Sequence, residues 1–92
     1  MEPEKDWRAE NAKIIRGEKL CHKRYKIPRT DWDHDHCVAC WGKFDQSDDP
    51  VILHEGYATV AESKWGENYH WVCAECFRDL HNIMEWTAIE CP

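Results

Sequence analysis

The sequence predicts a small α+β domain in which a metal ion docks the last long helix against a short strand pair. Two C-x-x-C units, Cys37-Val-Ala-Cys40 and Cys73-Ala-Glu-Cys76, are separated by 32 residues, and helical periodicity begins at the second. The third observation is size. At 92 residues the chain has room for one compact unit, and such a chain buries only roughly 60–65% of the surface its unfolded form exposes. Six tryptophans stand beside two phenylalanines, so the core rests on a few large flat anchors. A core of that kind supplies only a few kcal/mol, and a metal staple is the natural supplement.

Residues 1–31 are expected to form an N-terminal helix and a basic connection, and residues 32–92 the metal domain. The helix is read over 3–20. Pro3 suits a first-turn position, Glu2, Glu4 and Asp6 favour the N-terminal end, and Gly17 weakens the far end. Trp7, Ile14 and Ile15 form a sparse apolar stripe along it, the alternative being a solvated arm that orders on a partner. Residues 21–33 carry the basic run HKRYK and Ile27-Pro28, and read as an extended connection because the residue before proline avoids helical geometry.

The string HDHCVACWGKF (34–44) is the first ligand segment, and DQSDDP (45–50) is a polar turn. Strand-like material follows in VILH (51–54) and YATVA (57–61). A second turn, SKWGEN (63–68), leads through Tyr69, Trp71 and Val72 as a short strand into the second ligand segment. From Ala74 onward Phe77, Leu80 and Met84 recur at helical spacing. Trp86 extends the stripe, and Thr87 and Cys91-Pro92 mark its end.

Two residues between cysteines suit a tight turn whose sulfurs converge on one ion at about 2.3 Å each, and two such turns close a tetrahedral four-cysteine site. One structural Zn2+ held by Cys37, Cys40, Cys73 and Cys76 is therefore expected. A closed four-cysteine site keeps no open position for chemistry, so the metal is not expected to catalyse and the chain is not expected to be an enzyme. The order of knuckle, strand pair and helix carrying the second knuckle is that of a treble clef. A zinc ribbon would place both knuckles on hairpins. His34, His36 and His70 are rival ligands by position, but they read first as polar loop residues. Cys21 and Cys91 lack a paired spacing and read as ordinary residues.

The charged first residues hold no apolar signal segment, and no window has the length of a membrane span. A cytoplasmic protein with reduced thiols is therefore expected, in which six cysteines point to metal and away from disulfides.

The strings WDHDHCVACWGKF (32–44), GYAT (56–59) and WVCAECFRDLHNIMEW (71–86) resemble a group of small, uncharacterised bacterial zinc-knuckle proteins. Those share D-H-C-x-x-C-W-x-K-F, then G-Y-A-T, then W-[VI]-C-x-x-C-F-x-D. The resemblance implies the same four cysteine ligands, with Trp41, Phe44, Tyr57, Trp71 and Phe77 packed around the knuckles. Some small acidic proteins of this general sort are immunity partners of secreted toxins.

The formal charge is −6, and four thiolates with one dication would take it to −8. Such a domain repels phosphate backbones and attracts basic partners. The expected function is a protein-binding module for a basic partner, of bacterial immunity or regulatory type. Trp65 and Tyr69 are the candidate contacts, with Glu62, Glu67, Asp48 and Asp49 steering association. The alternatives are a nucleic-acid-binding domain, supported only by HKRYK (22–26) and Arg29, and a histidine-dependent enzyme. The oligomeric state is not legible.

Overall fold

The computed structural model describes residues 7–27, 34–45, 50 and 52–91. The first helix, α1 (Trp7–Ala12), continues as a 3-10 turn over Lys13–Ile15. Ala9, Ala12 and Ile15 face inward, whereas Trp7 and Ile14 are exposed, so the expected apolar stripe buries only its Ile15. Helical geometry ends at Ile15, short of the expected end at 20, and the proposed start at 3–6 lies outside the described residues. Gly17 ends the helical path, with φ of 81° in the region open to glycine, and its N–H donates to the Met84 carbonyl at 2.8 Å.

The chain then forms β1 (Lys19–Arg24), where a basic connection was expected. Only Leu20 and Cys21 in this strand are buried and apolar, so it lacks the alternation that announces a strand. The pairing comes from its neighbours. β1 runs antiparallel to β4 (Glu55–Thr59), from Leu20 opposite Thr59 to Arg24 opposite Glu55. On its other side it runs parallel to β6 (Thr87–Ile89), a strand lying where the sequence suggested only the end of a helix. With β5 (Trp71–Val72) antiparallel to β4, the four-stranded order is β5-β4-β1-β6, and this sheet draws strands from both sides of position 31.

A two-stranded hairpin, β2 (Asp35–His36) with β3 (Lys43–Phe44), carries the first C-x-x-C at its tip. Of the expected strand 51–54, Leu53 makes only an isolated bridge to Phe44, and the strand begins at Glu55. The turn at 46–49 lies outside the described residues. The loop from β4 to β5 is organised by buried Thr59. Its hydroxyl donates to the Gly66 carbonyl at 2.8 Å and accepts from the N–H groups of Tyr69 and His70.

The second helix, α2 (Ala74–Met84), buries Cys76, Leu80 and Met84. It stops at Glu85, which takes left-handed geometry (φ 57°) and donates to the carbonyls of Asn82 and His81, and the Trp86 N–H also reaches His81. Trp86 is thus past the helix. Its ring is buried and its Nε1 donates to the Ile15 carbonyl at 2.9 Å, joining the two helical segments. Phe44, Trp71, Ile15, Leu20 and Leu80 form the centre of the core.

Cys21 and Cys91 are joined by a disulfide, so the expectation that all six cysteines are reduced, and that these two are ordinary residues, is corrected. Parallel pairing of β1 with β6 brings them together, and no spacing rule encodes that. With a sequence separation of 70, the bond limits the unfolded chain by about 4 kcal/mol in the loop-entropy account.

Gly56 sits where β4 crosses the hairpin. A Cβ there would lie 2.7 Å from the Val72 carbonyl oxygen and 2.9 Å from the Phe44 ring. Gly56→Ala is expected to lower stability by about 1–3 kcal/mol. Urea unfolding of the two proteins, followed by tryptophan fluorescence, checks this; an unchanged midpoint would show that the crossing has slack.

Candidate metal centre

The sulfurs of Cys37, Cys40, Cys73 and Cys76 all lie within 4.8 Å of one another. Cys40 Sγ and Cys73 Sγ are 3.8 Å apart, and sulfurs at about 2.3 Å from a tetrahedral ion would be about 3.8 Å apart. The donor set is therefore of the right number, kind and spacing to hold one metal ion. Soft thiolates with no carboxylate among them suit a thiophilic dication.

Local backbone chemistry places each sulfur. In the first turn the Cys40 N–H points at Cys37 Sγ at 3.5 Å. The turn closes through Trp41 N–H to the Cys37 carbonyl and Cys37 N–H to the Gly42 carbonyl, at 2.8 and 2.7 Å. In the second, Cys73 is the N-cap of α2, and its sulfur accepts from the Cys76 N–H at 3.5 Å. A thiolate there meets the unpaired N–H groups and positive end of the helix. The two turns are tied together directly: Val38 N–H donates to the Trp71 carbonyl at 2.8 Å, and Cys73 N–H approaches Cys37 Sγ at 3.4 Å.

Packing four thiols this closely couples their protons. Hydrogen bonds from Cys73 and then Cys76 hold the Cys37 thiol far below the usual range. The same sharing with Cys37 pushes Cys73 up, and Cys76 further still. A coordinated cation takes the place of those shared protons.

Helix α1 covers the site. Asn11 Nδ2 donates to the Ala39 carbonyl at 2.8 Å. Arg8 Nη1 lies 3.9 Å from Cys76 Sγ and donates to Asp79 Oδ2 at 3.0 Å, which, with Arg78, holds the exposed Asp79 carboxyl below its ordinary range. The N-terminal helix thus supplies a cation beside a sulfur and a clamp on the first turn. On the other side an open groove of about 670 Å3 runs past Cys40 and Cys73, lined also by Leu53, His54 and Ala74. Through it solvent reaches the partly buried Cys40.

Among the described residues the donor cluster contains no histidine. The rings of His34 and His36 meet edge to face at 5.0 Å, and Asp35 between them accepts from the Tyr25 hydroxyl at 2.8 Å. The His70 ring packs against Trp65 and Tyr69, and burial, opposed by Glu18, pushes its pKa down.

Of the aromatic residues expected around the knuckles, Phe44 and Trp71 are fully buried, and Tyr57 stacks on Phe77 at 3.8 Å. Trp41 does not pack inward. It is 65% exposed, and its ring meets the edge of a second exposed tryptophan, Trp7, with centroids 6.4 Å apart. Its φ of 66° is the cause: the left-handed turn after Cys40 directs the side chain away from the core. Trp65 and Tyr69 stack on one another at 5.9 Å, with Trp65 partly buried against the core and Tyr69 exposed. Glu62 and Glu67 are exposed, and Glu67 lies 3.9 Å from Lys23. Asp48 and Asp49 lie outside the described residues.

No family model, no curated protein and no solved structure matches the chain. Among the described residues no helix is long and apolar enough to cross a membrane.

Elemental analysis of the protein with its quartet reduced is expected to find one dication per chain. Cys40→Ser and Cys76→Ser should each abolish stoichiometric binding. Because coordination expels protons from the shared thiols, acidification should release the ion and a return to neutral pH should restore it. A metal content that held steady from neutral pH down to roughly pH 4 would contradict this arrangement.

Proposed function

We propose that the chain is a zinc-stabilised protein-binding module of treble-clef type, with a basic protein as its partner. The treble-clef part of the reading is supported by the order of Cys37 and Cys40 on the β2–β3 hairpin, the β4–β5 strand pair, and Cys73 and Cys76 at the start of α2. Zn2+ suits a donor set of four thiolates. When bound it fills its coordination shell with protein sulfur and stabilises the fold without acting in chemistry, contributing on the order of 10–16 kcal/mol.

One observation carries the binding role. Trp41 stands exposed on the first knuckle, in left-handed geometry that costs a bulky residue about 1–3 kcal/mol, and Trp7 of α1 is exposed beside it. Strained backbone clusters at functional sites, and here it holds a large apolar ring in solvent. Tryptophan is among the most effective interface anchors, because it buries a large rigid surface at low entropic cost. The formal charge of −6 favours a basic partner. A bacterial immunity or regulatory role, in which an acidic small protein neutralises a basic toxin, is the form of this reading that we favour. Trp65, Tyr69, Glu62 and Glu67 form a second, more polar candidate surface at the β4–β5 turn.

The basic run HKRYK keeps Arg24 and Lys26 exposed, a small cationic face in a chain of net charge −6, and its other members are engaged. Lys23 Nζ donates to Asn68 Oδ1 at 2.7 Å, His22 Nε2 lies 4.0 Å from Glu55, and Tyr25 is buried. This arrangement favours a protein partner over a nucleic acid.

Capture of partners on the immobilised, metal-loaded chain, followed by affinity measurement on the purified partner, tests the reading. Trp7→Ala with Trp41→Ala is expected to weaken binding by about 10–100-fold with metal content unchanged. The association rate should also fall as salt is raised. Equal binding by this variant, with loss only in Trp65→Ala/Tyr69→Ala, would move the interface to the β4–β5 turn. A steeply salt-dependent nanomolar affinity for nucleic acid would overturn the reading altogether.

The metal reading carries its own expectation. Chelation at neutral pH should unfold the segment from 37 to 86, seen as loss of near-UV tryptophan dichroism. Retention of that signal after complete metal removal would show that Zn2+ is dispensable for the fold.

A further inference from the structure

The six cysteines separate into two chemical populations, and the second has no part in metal binding. Four converge on one point; Cys21 and Cys91 form the disulfide between β1 and the segment after β6. The two ends of that disulfide differ. Cys21 is fully buried in β1, whereas Cys91 is exposed, two residues past β6.

The strand it fastens is weakly held. β6 has three residues, lies at the edge of the sheet, and pairs with β1 through Lys19–Thr87, Leu20–Ala88 and Cys21–Ile89. Thr87 and Ala88 are exposed and Ile89 is half-buried, so little apolar area is lost if the strand leaves. Just before it, Trp86 is buried and hydrogen-bonded to Ile15, which fixes a hinge. A segment with few buried contacts beyond a firm anchor is the kind that opens locally while the rest stays folded.

We propose that Cys91 is a thiol-exchange site that takes up a low-molecular-weight thiol as a mixed disulfide, freeing β6 while the metal thiolates remain coordinated. A solvent thiolate RS⁻ attacks Cys91 Sγ, the exposed end of the pair. The Cys91–Cys21 bond breaks, an RS–S bond to Cys91 forms, and Cys21 Sγ leaves with the electron pair and takes a proton from water. A second RS⁻ attacks the RS sulfur of the mixed disulfide, giving RSSR and the Cys91 thiolate. Two thiols have then supplied two electrons, and RSSR drives the sequence backwards. With an ion bound the sulfurs of the quartet would be coordinated, and two of its members, Cys37 and Cys76, are almost wholly enclosed, so the quartet is spared.

The test uses the full, metal-loaded chain in glutathione buffers of graded ratio, read by intact mass, peptide mapping, metal content and hydrogen exchange. The expected result is a single glutathione adduct on Cys91, one ion retained, and a loss of protection of roughly tenfold or more in 87–89 and the facing amides of β1. Cys21→Ser leaves Cys91 as an exposed thiol and should take up glutathione from its disulfide form. Cys91→Ser should form no adduct. An adduct on Cys21 or on a quartet cysteine, loss of metal in step with exchange, or a Cys21→Ser protein that stays unmodified would each overturn the proposal.

Discussion

The N–H of Val38 donates to the Trp71 carbonyl, and the N–H of Cys73 approaches Cys37 Sγ, so the first C-x-x-C turn is fastened to the strand that delivers the second. Everything else in the molecule is arranged around that fastening. β5 is only two residues long and leads straight into the cap of α2. Its position therefore fixes both the second pair of sulfurs and the axis of the helix. Trp71, wholly enclosed, anchors the same strand by its ring and by Nε1 to the Asn68 carbonyl at 3.0 Å. Burying the ring and converging the sulfurs are one packing event.

A chain of this size needs such economy. Its centre is built from Trp71, Phe44 and a handful of aliphatic side chains, and small cores of that kind stand close to balance against chain entropy. The structure supplements it in three places that do not overlap. A metal ion suits the junction of hairpin, strand and helix; a disulfide joins β1 to the segment after β6; and α1 lies across the metal turn through Asn11 and Arg8. The Arg8 guanidinium sits where a complex of four thiolates and a dication would carry surplus negative charge, which is where a cation is most useful.

The four-cysteine cluster is legible in the sequence because its signal is local. Two C-x-x-C spacings and the Phe77–Leu80–Met84 periodicity depend on adjacent residues, and the cysteines and the α2 helix lie where that logic puts them. The rest is written in long-range pairing. β1 reads as polar because its stability comes from hydrogen bonding on both edges, with only Leu20 and Cys21 buried and apolar. β6 is hidden by Trp86, which extends the helical pattern by one step although the helix has already turned off at Glu85. Cys21 and Cys91 look unrelated along the chain, and a parallel strand pair sets them side by side. A tryptophan beside a ligand ordinarily packs inward; at Trp41 the sign of one backbone angle reverses that.

The central position of β1 has a consequence for how the chain is made. Its partners β4 and β6 both follow it in sequence, β6 by more than sixty positions, so on a ribosome β1 emerges early and waits. Until the residues of β6 have left the exit tunnel, one of its edges stays open to whatever extended chain is nearby. A chain cut before Thr87 would keep both C-x-x-C turns and lack the β6 edge of its sheet. Quality control that recognises bare strand edges would meet it in that form.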